Sequence, residues 1–128
     1  SRCVVTLTYE TLLKQEAKMA IDNSFCITSV KDLAKAISEI LMLDDLKVCH
    51  LSSFEEIKRT DLAKQIIKSS KRGKEMKFNE VSFSEIKYSE PRGRLNSLKS
   101  NLKFVNENLF FRPPFQTIIE KVKFLDSL

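Results

Sequence analysis

Two glycines in 128 residues, Gly73 and Gly93, set the tightest limit on what this chain can become. Tight hairpin turns and loops that cradle phosphate need positive φ or a bare backbone, and glycine supplies both at least cost. With its glycines twenty residues apart, the chain can build neither a GxGxxG nor a GxxxxGK[ST] loop. The scarcity argues against an all-β sandwich or barrel and for helices joined to short strands. Hydrophobic residues at 42% and charged residues at 30% are the ordinary globular mix, so a packed core is expected rather than disorder. The length suits a single globular domain over 1–128, and a start at Ser1 is expected of a fragment of a larger protein.

The first half predicts three strand–helix units. Residues 3–9 alternate and are β-branched, the pattern of a strand. A helix is predicted over 10–21, with Leu13, Ala17 and Ile21 on one face. Residues 24–28 predict a second strand, and Ser29 caps a helix whose stripe is Val30, Leu33, Ile37, Ile40 and Leu41. Asp44 and Asp45 break that helix, and residues 46–51 predict a third strand. Ser53 and Glu56 have capping-box spacing and open a helix to about Ser69, whose apolar stripe shifts phase around 58–61. The fold class expected is α/β: a small, mostly parallel sheet, a bulged strand or arm, and two C-terminal helices. The alternative is an all-α domain in which the short apolar runs are buried loops.

The arm falls at 75–89, where three pentads each carry an acid, an aliphatic and an aromatic residue. A leucine seam (Leu95, Leu98, Leu102, Val105, Leu109) predicts the next helix. Pro113 and Pro114 end it, and a last helix carries Phe115, Ile118, Ile119, Val122 and Leu125. Charge divides unevenly: residues 1–64 hold nine Lys/Arg against ten Asp/Glu, and residues 65–128 hold thirteen against seven. All the positive excess therefore lies in the second half.

Catalytic chemistry is sparse. There is one histidine, His50, and no HExxH or GxSxG motif. Cys3, Cys26 and Cys49 are evenly spaced but form no CxxC pair, so no metal site and no cofactor is expected, and unpaired thiols suit an intracellular setting, nuclear or cytoplasmic. Residues 50–72 are loosely similar to the end of the N-terminal domain of transcription elongation factor S. The Ile-Gly turn and terminal tryptophan of that domain are missing, and no residue role carries over.

The function expected is a non-catalytic interaction domain of a larger intracellular protein, contacting another protein through residues 65–109. Phe78, Val81, Phe83, Ile86 and Tyr88 are the candidate partner-binding residues. The alternative is a nucleic-acid-binding module using Lys68, Lys71, Arg72, Lys74, Lys77, Arg92, Arg94, Lys99 and Lys103. A more remote reading is a metal-dependent nuclease built on Asp22, Asp44, Asp45 and Asp61, carboxylates near strand–helix junctions. No run is apolar enough to span a bilayer, and neither a membrane partner nor a small-molecule cofactor is expected.

Overall fold

A computed structural model describes residues 3–43, 49–88, 92–93, 95–96 and 103–128. Its α/β class, with a small and mostly parallel sheet, is the one the sequence predicts. The route to it differs. The first element is a helix, α1 (Val4–Leu13), where alternation predicted a strand. Its buried residues Val5, Thr8, Tyr9 and Leu12 fall at i, i+3, i+4 and i+7, so the same stretch satisfies both periods. Packing against two later helices chooses the helical one. The Thr8 and Thr11 hydroxyls donate to the carbonyls of Val4 and Leu7, which quiets two residues that otherwise favour extended backbone. Two residues past the helix end, Gln15 takes a φ of 62° and is tied down by its side-chain amide donating to the Glu75 carbonyl at 2.7 Å.

β1 (Ala17–Ala20) follows where a helix through residue 21 was expected, and β2 (Ser24–Cys26) lies within the strand predicted over 24–28. They do not pair with each other. β1 pairs in parallel with β4 (Phe78–Val81), Ala17 opposite Phe78. β2 is central to a second sheet, antiparallel to β3 (Glu56–Lys58) and parallel to β5 (Leu95–Asn96). The expected arm at 75–89 is thus partly a strand of the chain's own sheet, continued by a single 3-10 turn, Phe83–Glu85. Of the strand predicted over 46–51, residues 46–48 lie outside the described residues, and 49–51 are not strand.

α2 (Val30–Ile40) lies where predicted. Its buried residues are Asp32, Ala36 and Ile40, whereas Val30 and Leu41 of the predicted stripe are exposed. α3 (Arg59–Ser69) begins six residues after the predicted capping box. Ser53 is buried and serves a loop contact instead, its backbone N–H donating to the Thr28 hydroxyl. After α3 the chain turns sharply at Gly73, where a Cβ would lie 2.2 Å from the Ile67 carbonyl oxygen. Of the expected leucine helix, Leu95 lies instead in β5, where it pairs with β2, and the helix is described only as α4 (Lys103–Asn108); Leu98 and Leu102 lie outside the described residues. α5 (Pro114–Asp126) starts with proline in its first turn, where no N–H is needed. Of the predicted face it buries Ile118 and Val122 and leaves Phe115 and Ile119 exposed.

Among the described residues the core forms two clusters. In the larger, Tyr9 and Leu12 of α1, Leu62 and Ile66 of α3, and Ile118 and Val122 of α5 pack over Met19, Phe25 and Ile57. The smaller joins Ala36 and Ile40 of α2 to Val105, Leu109 and Phe111. Two aspartates lock the assembly. Asp126, near the end of α5, accepts from the Tyr9 hydroxyl (2.7 Å), the Ser70 hydroxyl (2.7 Å) and the Lys71 backbone N–H (2.8 Å), joining α1, α3 and α5. Asp32 accepts from the Arg112 backbone N–H and two guanidinium nitrogens, all within 2.9 Å, which ties α2 to the segment entering α5.

Candidate functional site

The outer face of α1, the edge of β1, the head of α3 and the segment after β4 enclose a cleft of ≈ 250 Å³. α1 contributes Leu7, Thr8 and Thr11; β1 contributes Lys18 and Met19. Arg59 enters from the first turn of α3, and Ile86, Tyr88 and Arg92 close the remaining side. The segment bearing Ile86 and Tyr88 is fixed by Asp22, whose carboxylate accepts the Phe83 backbone N–H at 2.7 Å, and by Ser82 and Glu85, which cap the 3-10 turn reciprocally.

Both guanidinium groups here lie on rings. Arg59 stacks on Phe25 with its central carbon 4.7 Å from the ring centre, and Arg92 stacks on Tyr88 at 4.9 Å. Tyr88 in turn leans on Phe83, with ring centres 5.7 Å apart. Among the described residues no carboxylate pairs with Arg59, Arg92 or Lys18, and none lines the cleft. Burial holds the pKa of Arg59 below its ordinary value; Tyr88 opposes that shift and the positive charge of Arg92 adds to it. The cleft therefore concentrates positive charge beside aromatic and aliphatic surface. That combination suits a multiply charged anion carrying a planar or apolar group.

The predicted site residues divide. Of the bases proposed for nucleic acid, Arg92 alone among the described residues lines the cleft. Lys68 is exposed in the last turn of α3, and Lys71 follows it with its backbone N–H bound by Asp126. Arg72 is paired with Glu75 at 3.0 Å, and Lys74 and Lys77 are exposed. Lys103 opens α4, and Arg94 and Lys99 lie outside the described residues. Of the five partner-binding candidates, Phe78 and Val81 are half-buried in β4, and Phe83 supports Tyr88. Ile86 and Tyr88 do line the cleft. The nuclease carboxylates do not gather there: Asp22 holds the Phe83 turn, Asp61 sits in the first turn of α3, and Asp44 and Asp45 lie outside the described residues. The sequence reading missed Arg59. Its signal was the phase shift around 58–61, which is the junction where β3 ends and α3 begins.

No protein-family model and no curated protein sequence matches the chain. Solved structures do. The chain is similar to a dTDP-4-dehydrorhamnose reductase from Clostridium acetobutylicum ATCC 824, with a TM-score of 0.79 and 18% identity over 98% of this chain and 44% of that one. The same reductase from Bacillus anthracis str. Ames, solved in complex with NADP, gives 0.70 and 19% over 98% and 44%. That from Yersinia enterocolitica gives 0.72 and 17% over 96% and 43%. The chain thus has the fold of somewhat less than half of a reductase chain.

This likeness corrects the functional expectation. An interaction domain without catalysis, and a nuclear or nucleic-acid-binding module, both give way to a fold shared with reductase enzymes. The expected partners, protein or nucleic acid with no small-molecule cofactor, conflict with a neighbour that binds NADP. Among the described residues only Arg92 of the predicted bases reaches the cleft, and in the arm Phe78 packs against the chain's own core while Ile86 and Tyr88 turn to the cleft.

Proposed function

We propose that this chain, as one folding unit, is the substrate-holding portion of an NAD(P)-linked reductase-type enzyme acting on a nucleotide-activated sugar. In this reading the cleft takes the substrate's diphosphate. The observation that carries the reading is the fold match at a TM-score of 0.79 over 98% of the chain. The cleft supports it: Arg59, Arg92 and Lys18 supply charge for a diphosphate, and Tyr88 and Leu7 offer faces for a base or sugar.

The residues present do not fit a dinucleotide. Gly73 and Gly93 cannot form a glycine-rich pyrophosphate loop, and Gly73 is occupied in a close turn against Ile67. What these residues do is bind and orient: two guanidiniums grip the diphosphate while α1 and β1 wall off solvent. Unpaired cysteines accord with an intracellular setting for such an enzyme.

Calorimetric titration of the chain with dTDP and, separately, with NADPH tests this reading. Binding of dTDP that is weakened about tenfold by Arg92→Gln, with no uptake of NADPH, is the expected result. Absence of dTDP binding at low salt, or an Arg92→Gln variant with unchanged affinity, would sink it.

A further inference from the structure

We propose that Asn23 is the positioning residue that sets the cleft's grip on a diphosphate, by holding Arg59 with a neutral acceptor. This rests on the reading of the cleft given above. Asn23 is 2% exposed and is not a cleft-lining residue. Its backbone carbonyl accepts the Arg59 N–H at 3.0 Å, which fixes where α3 starts. Its side-chain oxygen accepts Arg59 Nε at 3.3 Å. Phe25, two residues further on, supplies the ring beneath the guanidinium.

Arg59 is thereby oriented along one edge and on one face. Its two terminal amino groups have no protein acceptor among the described residues. The choice of amide matters. An aspartate has nearly the same shape and would accept the same Nε hydrogen bond, but its charge would answer the guanidinium from below. An incoming anion would then compete with an internal partner instead of meeting an uncompensated cation. An amide gives orientation and leaves the charge for the ligand. Burial and the neighbouring Arg92 charge, which both disfavour protonated Arg59, make an arriving anion more welcome still.

The test is titration of inorganic pyrophosphate into the full chain at low and at physiological salt. For Asn23→Asp we expect about tenfold weaker binding and a shallower dependence on salt, because one fewer free cation meets the ligand. Asn23→Ser removes the acceptor without adding charge, and should lose about threefold with the salt dependence kept. Wild-type affinity in Asn23→Asp overturns the proposal, as do equal losses in both variants with unaltered salt dependence, which a merely structural role would give. Should Asn23→Asp fail to fold, unchanged affinity in Asn23→Ser overturns it. If wild type binds and Arg92→Gln weakens binding while both Asn23 variants bind normally, the cleft reading stands and the role of Asn23 falls. No binding by wild type overturns both.

Discussion

Arg112 and Arg59 are arginines in two regions of one small molecule, and their surroundings are opposites. Arg112 donates its backbone N–H, Nε and Nη2 to Asp32 and its Nη1 to Glu120 at 2.6 Å. Arg59 has one amide oxygen and a phenyl ring. The first arrangement answers every charge within the protein and joins α2 to the entry of α5. The second orients a cation and leaves it unanswered. Their pKa shifts run in opposite directions for this reason: hydrogen bonds donated to Asp32 and then to Glu120 raise that of Arg112, whereas burial lowers that of Arg59. A basic residue is informative about function according to what its neighbours leave undone, not by its presence in a basic stretch.

Substitutions should separate the two regions. The largest stability effect is expected at the paired one. Asp32→Ala strands the Arg112 donors in a half-buried junction and should cost about 3 kcal/mol in urea unfolding, leaving pyrophosphate affinity unchanged once folded. A loss of affinity of the same size in that variant would break the contrast. Arg59→Gln and Arg92→Gln should behave in reverse, each weakening pyrophosphate binding about tenfold while unfolding free energy stays within about 1 kcal/mol of wild type.

Acid should distinguish the regions more gently. The Arg112 hydrogen bonds hold the Asp32 carboxyl below its ordinary value of 3.8, against the opposing effect of burial. In the unfolded chain Asp32 therefore takes up a proton first as pH falls. Its stabilising contribution is complete above the unfolded-state value and is lost as pH drops from about 3.8 through the folded-state value. Asp126 behaves alike: burial would raise its pKa, but bonds from Ser70, the Lys71 backbone and Tyr9 outweigh that and lower it. Asp32→Asn should flatten part of the acid limb of stability against pH and keep the part due to Asp126. An unflattened limb would mean that the junction is not formed in solution. The smallest effect is expected from salt: raising it from about 0.05 to about 0.3 M, which shortens the Debye length past about 10 Å, should weaken anion binding while shifting the unfolding midpoint little.

Fold and site were legible in the sequence to different depths. α2 and α5 could be read directly, because Ser29 precedes a run of helically spaced apolar positions in α2 and Pro113–Pro114 punctuate the start of another in α5. α1 could not, since Val5, Thr8, Tyr9 and Leu12 also belong to an alternating, β-branched run, and only contact with α3 and α5 decides between the periods. In the site, Ile86, Tyr88 and Arg92 stood out as apolar arm and basic loop, although for the wrong partner. Arg59 was hidden at an element boundary, and Asn23 carried no signal at all.

The sequence by itself determined the α/β class and, through two glycines, excluded a dinucleotide-binding loop, because backbone freedom is a property of the residue and needs no partner. Tertiary structure alone decided which cations are answered. Asp32 and Arg112 are 80 residues apart and Asn23 and Arg59 are 36 apart. Whether a charge is neutralised, stacked or left for a ligand depends on distances of a few ångströms that only the folded chain establishes.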